Sequence, residues 1–73
     1  MSLLEHRFAR VVREQREARG WTQEELAERA NLNRSYVGEI ERGVATPSIA
    51  TVAKLASGLG LQPSLLLARC EKT

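Results

Sequence analysis

The sequence predicts an all-α protein, a single domain over residues 1–73 built of five short helices. Two observations support this fold class. Apolar residues recur at helical spacing in every segment, and none shows the sustained alternation that is typical of a strand. Each of the first four segments is followed by a residue that can adopt the left-handed conformation of a helix end. These residues are Gly20, Asn31, Gly43 and Gly60.

The first predicted helix runs from about Leu3 to Arg19 and ends at Gly20. Its arginines recur at every third position, so they spread around the helix and do not form one stripe. Trp21 follows the helix and is expected to pack into the core. The apolar face is expected to comprise Leu4, Phe8, Val11, Val12 and Ala18.

The second predicted helix, at about residues 23–30, begins with a capping box. Thr22 can accept from the backbone amide of Glu25, whose carboxylate can reach back to the amide of Thr22. Asn31 ends the helix because asparagine tolerates the left-handed conformation better than most residues.

The third helix, at about residues 34–42, follows almost at once. Asn33 is expected to cap it, since asparagine is among the preferred residues at that position. Val37 and Ile40 are the expected inward residues. They leave Arg34 and Ser35 on other faces, in the exposed first turn.

Proline and glycine delimit the last two predicted helices. Ser48 is expected to cap the fourth helix, and Gly58 lies inside it at a cost in helix stability. Pro63 begins the fifth helix, at about residues 63–70, because proline is favoured at a first helical position. The apolar face of the fourth helix is expected to comprise Ile49, Val52, Leu55, Ala56 and Leu59.

Composition argues against several classes of protein. The chain has no aspartate, one cysteine (Cys70) and one histidine (His6). These residues cannot form an internal disulfide, a zinc site or a Ser-His-Asp triad, so we expect no enzyme, no metal and no cofactor. A lone thiol favours a reducing compartment, here the cytoplasm. No apolar run approaches the roughly 20 residues that a membrane span needs.

The charge balance is compatible with a nucleic-acid partner. The formal net charge is +2 and the sequence pI is about 9.2, with arginine as the main basic residue. Arginine suits bidentate recognition of phosphate and guanine better than lysine does. The alternative is that these arginines only solvate helix faces. The spacing of the second and third helices favours a DNA partner, because two short helices joined by about three residues must cross steeply, as in a helix-turn-helix. Such a pair presents the first turn of its second helix to the major groove.

The segments "RGWTQEELAERANLNRSYVGEIERG" and "TPSIATVAKLASGLGL" closely resemble the lambda-repressor-like (Xre/Cro-type) phage-repressor family, over roughly residues 8–67. "NRSYVGEIERG" is also similar to the recognition helix of restriction-modification controller proteins. The resemblance implies a compact five-helix lambda-repressor-like DNA-binding domain. It further implies operator binding as a homodimer, with repression or activation of transcription.

The resemblance also assigns roles to residues of this chain. Base-reading residues would be Arg34, Ser35 and Glu39, and residues at the DNA backbone would be Gln23, Asn33, Tyr36 and Arg42. Glu39 has a second reading, in which it only pairs with neighbouring arginines, and Tyr36 has one in which it packs on the first helix. The uncharged loop "GVATPS" departs from the family, where this loop is often basic. Gln15 departs too, at a position that is often aliphatic.

Two structural expectations complete the resemblance. Arg16 would pair with Glu41, and burial of this pair is plausible because Glu41 follows the inward residue Ile40. Three consecutive leucines in the fifth helix span too wide an arc for one domain to bury. We therefore expect a dimer interface on this helix, with Leu65 or Leu66 facing the partner. The expected interface residues are Leu61, Leu65 and Leu66.

The leading hypothesis is a regulator that binds double-stranded operator DNA and a second copy of itself, with neither a membrane nor a small-molecule ligand as partner. One alternative is an antitoxin that also represses its own operon. Another is a protein-binding module that keeps the fold without the DNA role. Steep loss of DNA or heparin retention with salt would favour DNA binding over the last alternative.

Overall fold

The computed structural model describes residues 3–71 and confirms the five-helix architecture. Its helices are α1 (Leu3–Ala18), α2 (Gln23–Ala30), α3 (Arg34–Glu41), α4 (Ile49–Leu59) and α5 (Pro63–Glu71). The region described contains no strand. Among these helices, none combines the length and the apolarity that crossing a bilayer requires.

The core lies where α1, α2, α3 and α4 meet, and α5 closes it against α1 and α4. Its largest fully buried side chains are Leu26, Ile40, Leu55, Leu66, Val12, Val37 and Cys70. Three residues that we assigned to inward faces lie outside it. Ile49 is 90% exposed because it is the first residue of α4, and Leu4 is 50% exposed in the first turn of α1. Ala18, the last residue of α1, is exposed as well.

Local capping defines the ends of α2 and the start of α3. Glu25 N donates to Thr22 Oγ1 at 3.1 Å, and Thr22 N donates to Glu25 Oε1 at 2.8 Å. The bond from the Thr22 amide lowers the pKa of the Glu25 carboxyl. Asn31 is left-handed with φ 56°, and Asn33 Oδ1 accepts from Ser35 N at 2.7 Å. The two helices are therefore joined by a turn whose geometry is set by side chains within it.

The close approach of α2 and α4 depends on Gly58. A β-carbon at this position would lie 2.9 Å from the backbone nitrogen of Ala30. The glycine that weakens α4 as a helix is thus required by its packing against α2.

Arg19 and Arg29 both lie over the ring of Trp21, and Arg19 also bonds to the C-terminal end of α4, next to Gly58. The guanidinium of Arg29 lies 4.2 Å from the centre of the half-buried indole ring, and that of Arg19 lies 5.7 Å from it. Arg19 Nη2 also donates to the carbonyl oxygen of Leu59 at 2.7 Å. A cation at the C-terminus of a helix stabilises its exposed carbonyl groups. These two arginines therefore serve the fold.

The fifth helix corrects one expectation about the dimer interface. Leu66 is fully buried and cannot face a partner, because its side chain is part of the core. Leu65 and Leu67 are 44% and 42% exposed, whereas Leu61 is partly buried against the core. Cys70 is buried on the same face as Leu66, and this burial raises the pKa of its thiol.

We predict that Gly58→Ala destabilises the protein by about 1–3 kcal/mol, because the added β-carbon would force α2 and α4 apart. Helix propensity alone predicts the opposite sign. Urea denaturation of Gly58→Ala and of Ser57→Ala, an exposed neighbour on α4, separates the two effects. A Gly58→Ala protein as stable as the wild type would show that α2 and α4 can move apart at little cost in free energy.

Candidate nucleic-acid interface

One face of α3 and the start of α2 form a concave polar surface, which encloses a volume of about 230 Å³. We call it the groove surface. Arg34, Gly38 and Arg42 are spaced by four positions, as are Ser35 and Glu39, so these residues share one side of the helix. It is lined by Gln23, Arg34, Ser35, Gly38, Glu39 and Arg42. The structure thus brings together all three residues expected to read bases and two of those expected at the DNA backbone.

The side chains of Arg34 and Glu39 are available to a ligand. Both residues are exposed, and within residues 3–71 neither side chain takes part in a hydrogen bond or an ion pair. Pairing of Glu39 with Arg34 or Arg42 is therefore not what holds it in place here. The exposed Ser35 has its backbone amide bonded to Asn33, so its hydroxyl is not needed to satisfy that amide.

Beneath the groove surface lies a nearly buried ion pair. Arg16 Nε donates to Glu41 Oε2 at 2.8 Å, and Arg16 Nη2 donates to Glu41 Oε1 at 3.0 Å. The side chains of Arg16 and Glu41 are only 13% and 3% exposed. Arg16 Nη1 also donates to the carbonyl oxygen of Trp21 at 2.8 Å. The hydrogen bonds to Glu41 raise the pKa of Arg16, against the opposing effect of its own burial.

The same carboxylate holds a residue of the groove surface. Gln23 Nε2 donates to Glu41 Oε1 at 3.1 Å. A side chain that was expected only to touch DNA is therefore anchored from below to the Arg16–Glu41 pair. This contact was missed from the sequence, because nothing in the spacing of residues 23 and 41 indicates that they meet.

Tyr36 lies apart from the groove surface. Its half-buried ring packs on the core, and its hydroxyl shares a hydrogen bond with Thr51 Oγ1 at 3.3 Å. Thr51 Oγ1 lies in turn 3.0 Å from Ser48 Oγ. The alternative expectation placed Tyr36 on the first helix, whereas its hydroxyl bonds to α4. Its contact with a DNA backbone remains a prediction, as does that of Asn33.

The loop between α3 and α4 is uncharged and is tied to α1. Val44 is 68% exposed, and Thr46 Oγ1 donates to Glu5 Oε2 at 2.6 Å. No arginine or lysine occurs from Gly43 to Ser48, so this loop offers no cation to a phosphate.

The tightly joined pair of α2 and α3, with an exposed polar face on its second helix, defines a helix-turn-helix protein. The chain belongs to the HTH_3 helix-turn-helix family, whose match covers residues 12–66. It is 46% identical over 52 residues to the immunity repressor protein of Bacillus phage phi105, covering 71% of this chain and 36% of that protein. The chain thus spans little more than a third of the length of that relative.

Two solved structures are similar over almost their whole length. The restriction-modification controller protein C.AhdI from Aeromonas hydrophila has a TM-score of 0.81 at 42% identity, covering 85% of this chain and 94% of that one. The controller protein C.Esp1396I, as a tetramer in complex with its natural 35 base-pair operator, has a TM-score of 0.91 at 29% identity. That similarity covers 99% of this chain and 95% of the other.

Removing the buried ion pair should destabilise the protein strongly. Arg16→Ala is expected to cost about 3–5 kcal/mol, because it leaves the carboxylate of Glu41 buried without its cation. Arg13→Ala is the matched control: Arg13 pairs with Glu17 at 3.2 Å on the exposed side of the same helix. Its loss should cost about 0–1 kcal/mol. Equal melting temperatures for the two variants would mean that Glu41 becomes solvated at little cost.

Proposed function

We propose that this chain is a sequence-specific regulator of transcription that binds a pseudo-palindromic operator in double-stranded DNA as a homodimer. The observation that carries the proposal is the groove surface. It gathers exposed, unengaged polar side chains on the first two turns of α3, the part of a helix-turn-helix that meets base edges. Membership of the helix-turn-helix family and the likeness to a controller protein bound to its operator support it.

The side chains of the groove surface would make two kinds of contact with DNA, to base edges and to backbone phosphates. Arg34 would donate to O6 and N7 of a guanine, the commonest specific contact in the major groove, and Glu39 would accept from N4 of a cytosine. Ser35 can bond to either kind of base edge. Gln23 and Arg42 would bind backbone phosphates and so set the register of α3 without reading sequence.

A dimer follows from the small size of one reading surface. A single α3 reaches few base pairs, whereas two copies related by two-fold symmetry read two half-sites about one helical turn, roughly 34 Å, apart. On α5, Leu65 is exposed and is our choice for the partner-facing residue. Leu61 would contribute its exposed part at the edge of this interface.

Control of a restriction-modification operon is a second, narrower candidate. The observation that favours it is the likeness in sequence and structure to two controller proteins, at 42% and 29% identity with TM-scores of 0.81 and 0.91. The same proposal makes the chain a regulator and not an enzyme, acting in the cytoplasm, the reducing compartment that a lone thiol favours.

Selection of bound fragments from a random DNA pool tests the proposed function most directly. We expect enrichment of a site with two inverted half-sites, and a change in transcription when that site is placed at a promoter. A protein-binding module would enrich no sequence and would elute from a heparin column at low salt concentration. An antitoxin would bind such a site and would also co-purify with a second protein encoded beside it.

Arg34→Ala should weaken binding to the selected site by about 1–3 kcal/mol and relax the preference for one guanine. Arg42→Ala is the comparison variant, since loss of a phosphate contact weakens specific and random DNA alike. Titrations of both variants against the selected site and a scrambled duplex distinguish these patterns. If Arg34→Ala loses equal affinity for both duplexes, Arg34 does not read a base.

Leu65→Asp should yield a folded monomer with much weaker operator binding, because a charge in an apolar interface between two copies is left without a partner. Leu67→Asp, at a similarly exposed leucine on another side of α5, is the control and should stay dimeric. Sedimentation and circular dichroism report assembly and folding. A wild-type monomer at high micromolar concentration, or a dimer that survives Leu65→Asp, would contradict this interface.

A further inference from the structure

Gly38 stands in the middle of α3, on the side that lines the groove surface. It is buried although its neighbours on this surface are partly or fully exposed. A β-carbon at Gly38 would lie 3.2 Å from Arg42 Nη1 and 3.5 Å from Gln23 Oε1. The space left by the missing side chain is therefore bounded by the polar ends of Arg42 and Gln23.

The backbone does not explain a glycine here. Gly38 has an α-helical conformation and is absent from the positive-φ glycines, which are Gly20, Gly43 and Gly60 among the residues described. No backbone atom of another segment is among the nearest neighbours of its β-position, in contrast to Gly58. Glycine lowers the stability of a helix interior relative to alanine. Glycine at position 38 therefore costs helix stability. The space that it leaves open is bounded by side chains and not by the backbone of another segment.

The orientation of the Gln23 side chain explains why its oxygen, Oε1, lies next to the β-position of Gly38. Its Nε2 donates to Glu41 Oε1, and Glu41 is itself held by Arg16. A carboxylate that accepts from Arg16 offers only acceptors, so the amide nitrogen must face it and Gln23 Oε1 must turn away. This oxygen lies on the side of Gly38 where Arg42 Nη1 is also found. An acceptor and a guanidinium, which only donates, therefore lie on the same side of Gly38.

We propose that Gly38 is a positioning residue for Arg42. Because position 38 has no side chain, the Arg42 guanidinium lies back over α3 beside Gln23, in the same concave surface as Arg34, and meets a backbone phosphate at the middle of α3. Side chains near helix ends lean towards the N-terminus, which favours this path. The DNA contact rests on the proposed function, whereas the arrangement of side chains can be tested without DNA.

The first experiment uses the free protein. Nitrogen-15 NMR spectra of the wild type and of Gly38→Ala report the Arg42 Nε–H signal and the side-chain amide signals of Gln23. We expect Gly38→Ala to move both, to leave the Arg34 Nε–H signal in place and to raise the melting temperature by about 2–6 °C through helix propensity. Unmoved Arg42 and Gln23 signals would overturn the proposal.

The second experiment measures binding to operator and random duplexes over a range of salt concentrations. Gly38→Ala should weaken both by about three- to tenfold and lower the slope of log K against log salt by about one unit, as loss of one phosphate contact does. Arg42→Ala should do the same. Gly38→Ala should have no further effect in an Arg42→Ala background, but should keep its full effect in an Arg34→Ala background.

One rival explanation is that Gly38 lets the DNA itself come close to α3. In that case Gly38→Ala would weaken binding equally with and without Arg42, which would overturn the positioning role. A Gly38→Ala protein that binds both duplexes as the wild type does would overturn it as well. A wild-type protein that binds no duplex refutes the proposed function, and the spectra of the free protein still decide the placement of Arg42.

Discussion

The bidentate pair between Arg16 and Glu41 is the interaction on which the geometry of the groove surface depends. It joins α1 to the end of α3, and through Trp21 it also holds the turn that precedes α2. Both charges are nearly out of water, so each depends on the other, and separation leaves a charge unsatisfied at high cost. The angle at which α3 is presented is thus set from inside the domain.

Gln23 links this interior pair to the outer surface. Its amide is bonded to Glu41 below and lines the concave surface above, beside Arg34 and Arg42. Polar networks of this kind fix orientation as well as contributing stability, provided that every member is satisfied. Within the described part of the chain, no buried side-chain nitrogen or oxygen lacks a hydrogen-bond partner. Any change at Glu41 would therefore affect both the core and the groove surface.

Five of the nine arginines form two groups that composition cannot distinguish. Arg16, Arg19 and Arg29 serve the fold, through an ion pair, a helix terminus and the indole of Trp21. Arg34 and Arg42 line the concave surface. The modest net charge of +2 is therefore a poor guide to the interface, because acidic residues balance arginines over the whole chain while position decides which cations remain available.

The sequence by itself determined the helices and their ends. Capping at Thr22, Asn31, Asn33 and Ser48 depends on residues within a few positions of one another, so local chemistry suffices to predict it. Resemblance to a family supplied the Arg16–Glu41 pair and the residues of the groove surface. Helical periodicity identified most of the core for the same local reason.

Tertiary structure decided what depends on how the helices rotate and approach one another. Periodicity could not choose among three consecutive leucines, and packing placed Leu66 inside while leaving Leu65 exposed. It could not show that Ile49, at a helix end, lies beyond the reach of the core. Nor could it explain Gly58, whose role exists only because α2 comes close to α4. These contacts join residues distant in sequence, and their geometry is set when the whole domain packs.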